Sequence, residues 1–179
     1  MQPTIRFSFV TAFSDDPFGG NPAAVIFVDP SLSENILVGL AKNLNQPVLA
    51  AVSTASRLPN DGEFKTDTRF VRYFVANGKE LPFCGHATLA AAKVIFQLDA
   101  TASNGITSIH FETKTGITLT ATKLDDGFIE IVFPAGIPGD VQDGEKERLK
   151  GLVNAAFGRE VRVVDIKTGG GSYTSCKSF

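Results

Sequence analysis

The 179 residues contain two histidines and two cysteines, and one of each falls within a single pentapeptide, Cys84-Gly85-His86-Ala87-Thr88. The pentapeptide lies between a proline-containing loop and a strongly apolar stretch, which puts His86 at a helix N-terminus. There the first backbone N–H groups have no intrahelical acceptor and the helix dipole adds positive potential, a setting that favours an anion such as a carboxylate. An imidazole so placed could donate or take a proton, and the dipole would depress its pKa and favour the neutral ring. The plainer alternative is that His86 caps the helix and Cys84 is a small buried hydrophobe; the motif alone favours that alternative.

A second candidate is the turn-rich run from Asp15 to Pro22. Gly19 and Gly20 permit close backbone approach, and Asn21 offers both a donor and an acceptor. By itself such a Gly-Gly-Asn-Pro run is more often a tight turn. His110 has no Cys, Asp or second His at ligand spacing, so it is read as structural and no metal site is expected. Ser172 and Ser175 lie among glycines but lack the strand-turn-helix setting of a nucleophile or phosphate loop. The charged run from Asp140 to Lys150 reads as the solvated face of a helix.

Elements must hold these residues in place. Ile5, Phe7 and Phe9 alternate with Arg6 and Ser8, the period of a half-buried strand reaching Phe13. Ala23 to Val28 is continuously apolar, a buried strand that should pair with the first like a hairpin. Ser31-Leu32-Ser33-Glu34 has capping-box spacing ahead of Ile36, Leu37, Leu40 and Leu44, predicting a helix to about Asn43. Pro47 stops it, and Val48 to Ser53 predicts another strand. Arg69 to Val75 alternates again and leads through the Asn77–Pro82 loop to the pentapeptide. From Ala87 to Leu98 the residues are apolar nearly all round, so this helix should be enclosed by sheet, with Lys93 and Gln97 on its one wet edge. Segments Ile106–Glu112, Gly116–Thr122 and Gly127–Phe133 predict a meander wrapping it. Beyond the breaker-rich Pro134–Gly139, the pattern predicts a helix from about Gly144 to Phe157, a strand from Val161 to Ile166, and a flexible tail from Gly169 onward.

Composition bounds the possibilities. A hydrophobic share of 43% suffices for a substantial core and excludes a disordered chain. Seventeen basic against nineteen acidic residues, a net charge of -2, give no electrostatic footprint for nucleic acid or an anionic membrane. No apolar run approaches membrane-spanning length and no secretory signal is legible, so a soluble, cytoplasmic protein is expected. Two cysteines are too few for a disulfide framework. Fifteen Phe with two Tyr and no Trp suit a packed interior better than a base-stacking surface.

Three ordered motifs carry a resemblance. They are Pro17-Phe18-Gly19-Gly20-Asn21-Pro22-Ala23-Ala24-Val25, then Asn43-Leu44 before a strand, then Leu81-Pro82-Phe83-Cys84-Gly85-His86-Ala87-Thr88-Leu89-Ala90. Together they resemble the phenazine-biosynthesis PhzF-like family, which belongs with diaminopimelate epimerase and proline racemase. The resemblance spans residues 5 to about 135 and weakens toward 168. It implies an α+β fold of two similar lobes, each a rolled, mostly antiparallel sheet around a central helix, with the site in the cleft between them. On this chain the first lobe is 1–122, with the central helix near 87–98, and 123–179 is an incomplete second lobe with a tail.

The chemistry so implied is cofactor-free proton transfer on a small carboxylate-bearing metabolite, by an isomerase or epimerase. In that family a Glu in an Asn-Leu-Ser-Glu-Thr-like motif is the proton shuttle, and the His of Cys-Gly-His is its neighbour. Here Asn43-Leu44-Asn45-Gln46-Pro47 puts Gln46 in the Glu position, and an amide cannot act as a carboxylate base. The implied site is thus His86 with Gln46, and Gly85, Ala87, Thr88, Asn21 and Gly20 as binding residues, with neither metal nor cofactor. Activity is expected to be impaired or altered, the alternative being a non-catalytic binding protein on the same fold. The resemblance also implies second-lobe features that are not found after Lys167, hence exposed sheet edges and a homodimer or covering partner.

Overall fold

The computed structural model describes residues 5–16, 18–53, 66–102, 105–134, 136 and 138–168. The tail expected from Gly169 onward, with Ser172 and Ser175, lies outside them. The chain divides after Pro134 into two compact units.

The first unit is a sheet wound about a helix. Its strands are β1 (Phe7–Ala12), β2 (Asn21–Val28), β3 (Val48–Ser53), β4 (Thr66–Val75), β5 (Glu80–Leu81), β6 (Ser108–Thr113), β7 (Thr118–Lys123) and β8 (Ile129–Val132). They run in the order β1-β2-β3-β4-β6-β7-β8, with β5 paired to β4. Strands β1 and β2 form the expected antiparallel hairpin, from Phe7 opposite Ile26 to Ala12 opposite Asn21. Parallel pairing occurs where a helix crosses over, between β2 and β3 by way of α1 (Glu34–Leu44) and between β4 and β6 by way of α2 (Gly85–Ala102). Every other pairing in this sheet is antiparallel, and β6, β7 and β8 make the expected meander.

Period-two alternation sorts the strands into two cores. Val25, Ala50, Val52, Val71 and Tyr73 turn toward α2, while Ala24, Ile26, Leu49, Ala51 and Phe74 turn toward Leu37 and Ala41 of α1. Helix α2 packs against both β1 and β8, the two ends of the strand order, so the sheet must curl around it. Its buried residues include Ala87, Ala90, Ala91 and Ala92, small side chains that let the sheet close in, with Val94, Ile95 and Phe96 filling the interior. Lys93 and Gln97 are exposed, the wet edge expected of them.

Three expectations are corrected. The capping box does not form: the N-cap of α1 is Ser33, with no side-chain cap bond. Ser31 instead donates its N–H and hydroxyl to Asp29 Oδ1, at 2.8 and 2.6 Å, and Glu34 is drawn to Arg72 and Lys114. Residues Val161 to Ile166 are not a strand. In the second unit the short β10 (Lys167–Thr168) pairs with β9 (Gly139–Asp140), and α3 (Asp143–Phe157) lies between them in sequence. Helix α3 has no buried residue and carries the predicted charged face as ion pairs such as Arg148–Glu145 and Lys150–Glu147. Finally, the phenylalanines are not all interior. Phe7 and Phe9 stack edge to face on the outer side of the edge strand β1, and Phe13, Phe18, Phe128, Phe133 and Phe157 are also exposed.

Candidate functional site

The pentapeptide sits where β5 hands the chain to α2. Cys84 precedes the first helical residue, and its carbonyl accepts two bonds from Thr88, the N–H at 3.0 Å and the hydroxyl at 2.7 Å. Thr88 Oγ1 also lies 2.6 Å from the Tyr73 hydroxyl. Because the one hydroxyl hydrogen of Thr88 goes to Cys84, Tyr73 must be the donor. Tyr73 and Thr88 are wholly buried. Burial holds the phenol well above its ordinary pKa, with the Thr88 bond pulling the other way, so it remains protonated and serves as a fixed donor.

On the other side of the same turn, Cys84 Sγ lies 3.2 Å from His86 Nδ1. Burial pushes the thiol pKa up, against the backbone N–H groups of Ala87 and His86 that face the sulfur. The imidazole is half-buried, and burial holds its pKa below the ordinary value, opposed by the Pro22 carbonyl. The depression expected from the helix dipole is therefore present in direction but has desolvation as its main cause. His86 Nε2 is buried, and among the described residues no group meets hydrogen-bond geometry toward it.

A charge cluster braces the approach to this turn. Arg72 of β4 grips Glu80 of β5 at two points, both 2.7 Å, and also pairs with Glu34 at the start of α1. Lys114, in the β6–β7 turn, reaches both Glu34 and Glu80. Glu80 is four residues before Cys84, so the cluster anchors the loop that delivers the thiol. Arg72 also stacks over the Phe74 ring at 5.0 Å.

The remaining sequence candidates are distributed as follows. Gly85 opens α2, and among the described residues a Cβ built there would meet nothing within 4 Å, so its face is open to them. Ala87 is wholly buried and its N–H faces the Cys84 sulfur, while Thr88 directs both its donors to Cys84. Gly20 has φ +73°, and a Cβ there would lie 2.2 Å from the Ala12 carbonyl oxygen, so the hairpin itself requires glycine. Asn21 begins β2 opposite Ala12. Gln46 follows the left-handed C-cap residue Asn45 and donates its amide to the Leu44 carbonyl at 3.1 Å and, more weakly, to that of Asn45. It thus caps its own helix rather than bonding to His86. Parallel β2 and β3 nevertheless enter the sheet from one end, which brings the Asn21–Pro22 and Gln46–Pro47 segments to the same rim. The Pro22 carbonyl against the imidazole ties that rim to the first turn of α2.

Tyr73 is a buried residue behind the turn that the motifs do not single out, though its signal is there: a phenol on the inward face of β4, between Val71 and Val75, demands a buried partner. His110 is exposed on β6. Among the described residues no three His, Cys, Asp or Glu side chains are grouped to hold a metal, and no helix is long and apolar enough to cross a membrane.

The sequence model described as phenazine biosynthesis-like protein, PhzC–PhzF, matches residues 10–172. Phenazine biosynthesis-like domain-containing protein 2 of Mus musculus is 34% identical over 157 residues, 87% of this chain and 50% of its own length. An uncharacterised isomerase of Halalkalibacterium halodurans is 34% identical over 143 residues, covering 80% of this chain and 48% of that protein. Among solved structures, a PhzF-family phenazine biosynthesis protein of Enterococcus faecalis superposes with a TM-score of 0.61 at 25% identity, over 92% of this chain and 54% of that one. A PhzC/PhzF protein of Clostridium difficile gives 0.63 at 24% identity over the same shares, a likeness of fold. The chain spans about half the length of the curated relatives it matches. With the curled α+β sheet around α2 and these matches in hand, the chain belongs to the phenazine biosynthesis-like (PhzF-like) family.

Proposed function

We propose that the chain is an isomerase or epimerase homologue that transfers a proton on a small carboxylate-bearing metabolite without a cofactor, with activity impaired or altered by Gln46. The observation that carries this reading is the imidazole of His86 held against the Cys84 thiol at the opening of a buried helix, next to the unobstructed face of Gly85. A ligand carboxylate would approach the first turn on the Gly85 side, within reach of the positive end of the helix. Titratable groups of depressed and raised pKa, side by side, suit proton exchange with a carbon acid. The test is incorporation of solvent deuterium into substrates of active relatives, followed by mass spectrometry. Exchange abolished by His86→Ala supports an enzyme.

A second reading, that of a non-catalytic binding protein, is favoured by the commitment of the Gln46 amide to the end of α1. Calorimetric binding of a small carboxylate that is weakened by His86→Ala, with no deuterium exchange, would select it. We further propose that two copies associate through the exposed edge at β1, where Phe7 and Phe9 lie uncovered, and that the protein works in the cytoplasm in a biosynthetic process. Residues 123–179 are read as an incomplete second lobe.

A further inference from the structure

We propose that the thiol of Cys84 locks His86 in its Nε2–H tautomer by donating S–H to Nδ1, and that Tyr73 and Thr88 hold Cys84 in position to do so. Two groups stand against the imidazole: the thiol of Cys84, whose sulfur is 3.2 Å from Nδ1 and can donate or accept, and the carbonyl oxygen of Pro22. A carbonyl oxygen can only accept, so it repels a bare ring nitrogen and welcomes a protonated one. With Nδ1 taken by the thiol, the protonated atom is Nε2, which is buried and among the described residues has no hydrogen-bond partner. The sulfur is suited to the complementary part. Burial keeps it a thiol, and backbone N–H groups of His86 and Ala87 face its lone pairs, which leaves S–H for Nδ1.

The direction of this chain of bonds is set from behind. Tyr73 donates to Thr88, and Thr88 donates twice to the Cys84 carbonyl, so the residue bearing the thiol cannot rotate away without breaking buried bonds. Cys84 is thereby a positioning residue for His86. In this tautomer Nδ1 is taken by the thiol and Nε2 already carries a proton, so the ring cannot be the base in a proton transfer, and that base must be another group. That bearing on catalysis rests on the isomerase reading above.

The test reads the ring directly. Histidine-labelled protein is examined by long-range nitrogen–proton correlation NMR at neutral pH, with exposed His110 as the internal reference for a freely averaging ring. Expected for His86 is a single protonated Nε2 with an unprotonated Nδ1, in contrast to the averaged pattern of His110. Cys84→Ala should move His86 toward the His110 pattern, and Cys84→Ser, which keeps a donor, should restore the single tautomer. A wild-type His86 that averages or is protonated on Nδ1, or a Cys84→Ala spectrum unchanged from wild type, overturns the proposal. The wild-type spectrum decides even where a variant does not fold. Because the NMR measurement needs no ligand, failure of deuterium exchange would sink the isomerase reading without touching this one.

Discussion

The substitution Gln46→Glu restores the residue type implied by the family resemblance, yet the structure predicts that it weakens the fold. The Gln46 amide donates to the Leu44 carbonyl at the end of α1. A carboxylate cannot donate, so one hydrogen bond goes, a net loss of about 0.5–1.5 kcal/mol. It also sets a negative charge at the negative end of the helix dipole, about 0.3–1 kcal/mol more where partly exposed. The sum, roughly 1–2 kcal/mol, corresponds to a fall in Tm of about 2–8 °C for a chain of this size. The introduced carboxyl is held above its unfolded pKa by the same carbonyl. Its protonated form is therefore favoured by folding, and the deficit is fully present at neutral pH and shrinks as pH falls through the folded pKa toward about 4.3. Urea denaturation followed by far-UV circular dichroism, at neutral and mildly acid pH, reads both effects. Equal stability of variant and wild type at neutral pH, or a deficit that grows on acidification, would refute this account of Gln46.

Other expectations follow from the same geometry. Thr88→Val strands the Tyr73 hydroxyl in the core and should cost about 1–3 kcal/mol in denaturant titrations; in a double-mutant cycle Tyr73→Phe should then add less than it does alone. Gly20→Ala forces a side chain into the Ala12 carbonyl and should prevent the hairpin from closing, seen as loss of folded yield. Gly85→Ala meets open space, should leave the thermal midpoint within a few degrees, and should weaken carboxylate binding by calorimetry. Arg72→Met removes the cation that lowers the Glu80 pKa. A depressed carboxyl pKa stabilises above its unfolded value and fades as pH falls through the folded one. The wild type should thus lose stability on acidification below about pH 4.3, and the variant should show a flatter profile, with about 0.5–1 kcal/mol lost at neutral pH after solvent screening.

Much of this fold is written in local patterns. Alternation in Phe7–Ala12 and the apolar run Ala23–Val28 specify two strands, and the all-round apolarity after Ala87 specifies an enclosed helix, because burial dictates composition there. Parallel pairing of β2 with β3 and of β4 with β6 was not legible, since it depends on where two crossover helices return the chain. Helix α2 begins at Gly85 rather than Ala87 because Cys84 supplies the capping carbonyl, a role that residue type alone does not announce. At the site, spacing revealed Cys84 and His86 as a pair of interest. Tyr73 comes from strand β4, and its contact with Thr88, fifteen positions along the chain, leaves no periodic trace. Likewise the Ser31–Glu34 spacing suggested a cap that the competing cations Arg72 and Lys114 undid from far along the chain.

The helix held within the curled sheet touches strands that open and close the first unit, β1 and β8. An assembling chain therefore cannot finish its interior from the front end onward: the early hairpin has its inner face bare until α2 is in place, and α2 is unshielded until the meander arrives. Such dependence on distant segments predicts slow, all-or-none acquisition of protease resistance, with early strands guarded by chaperones during synthesis.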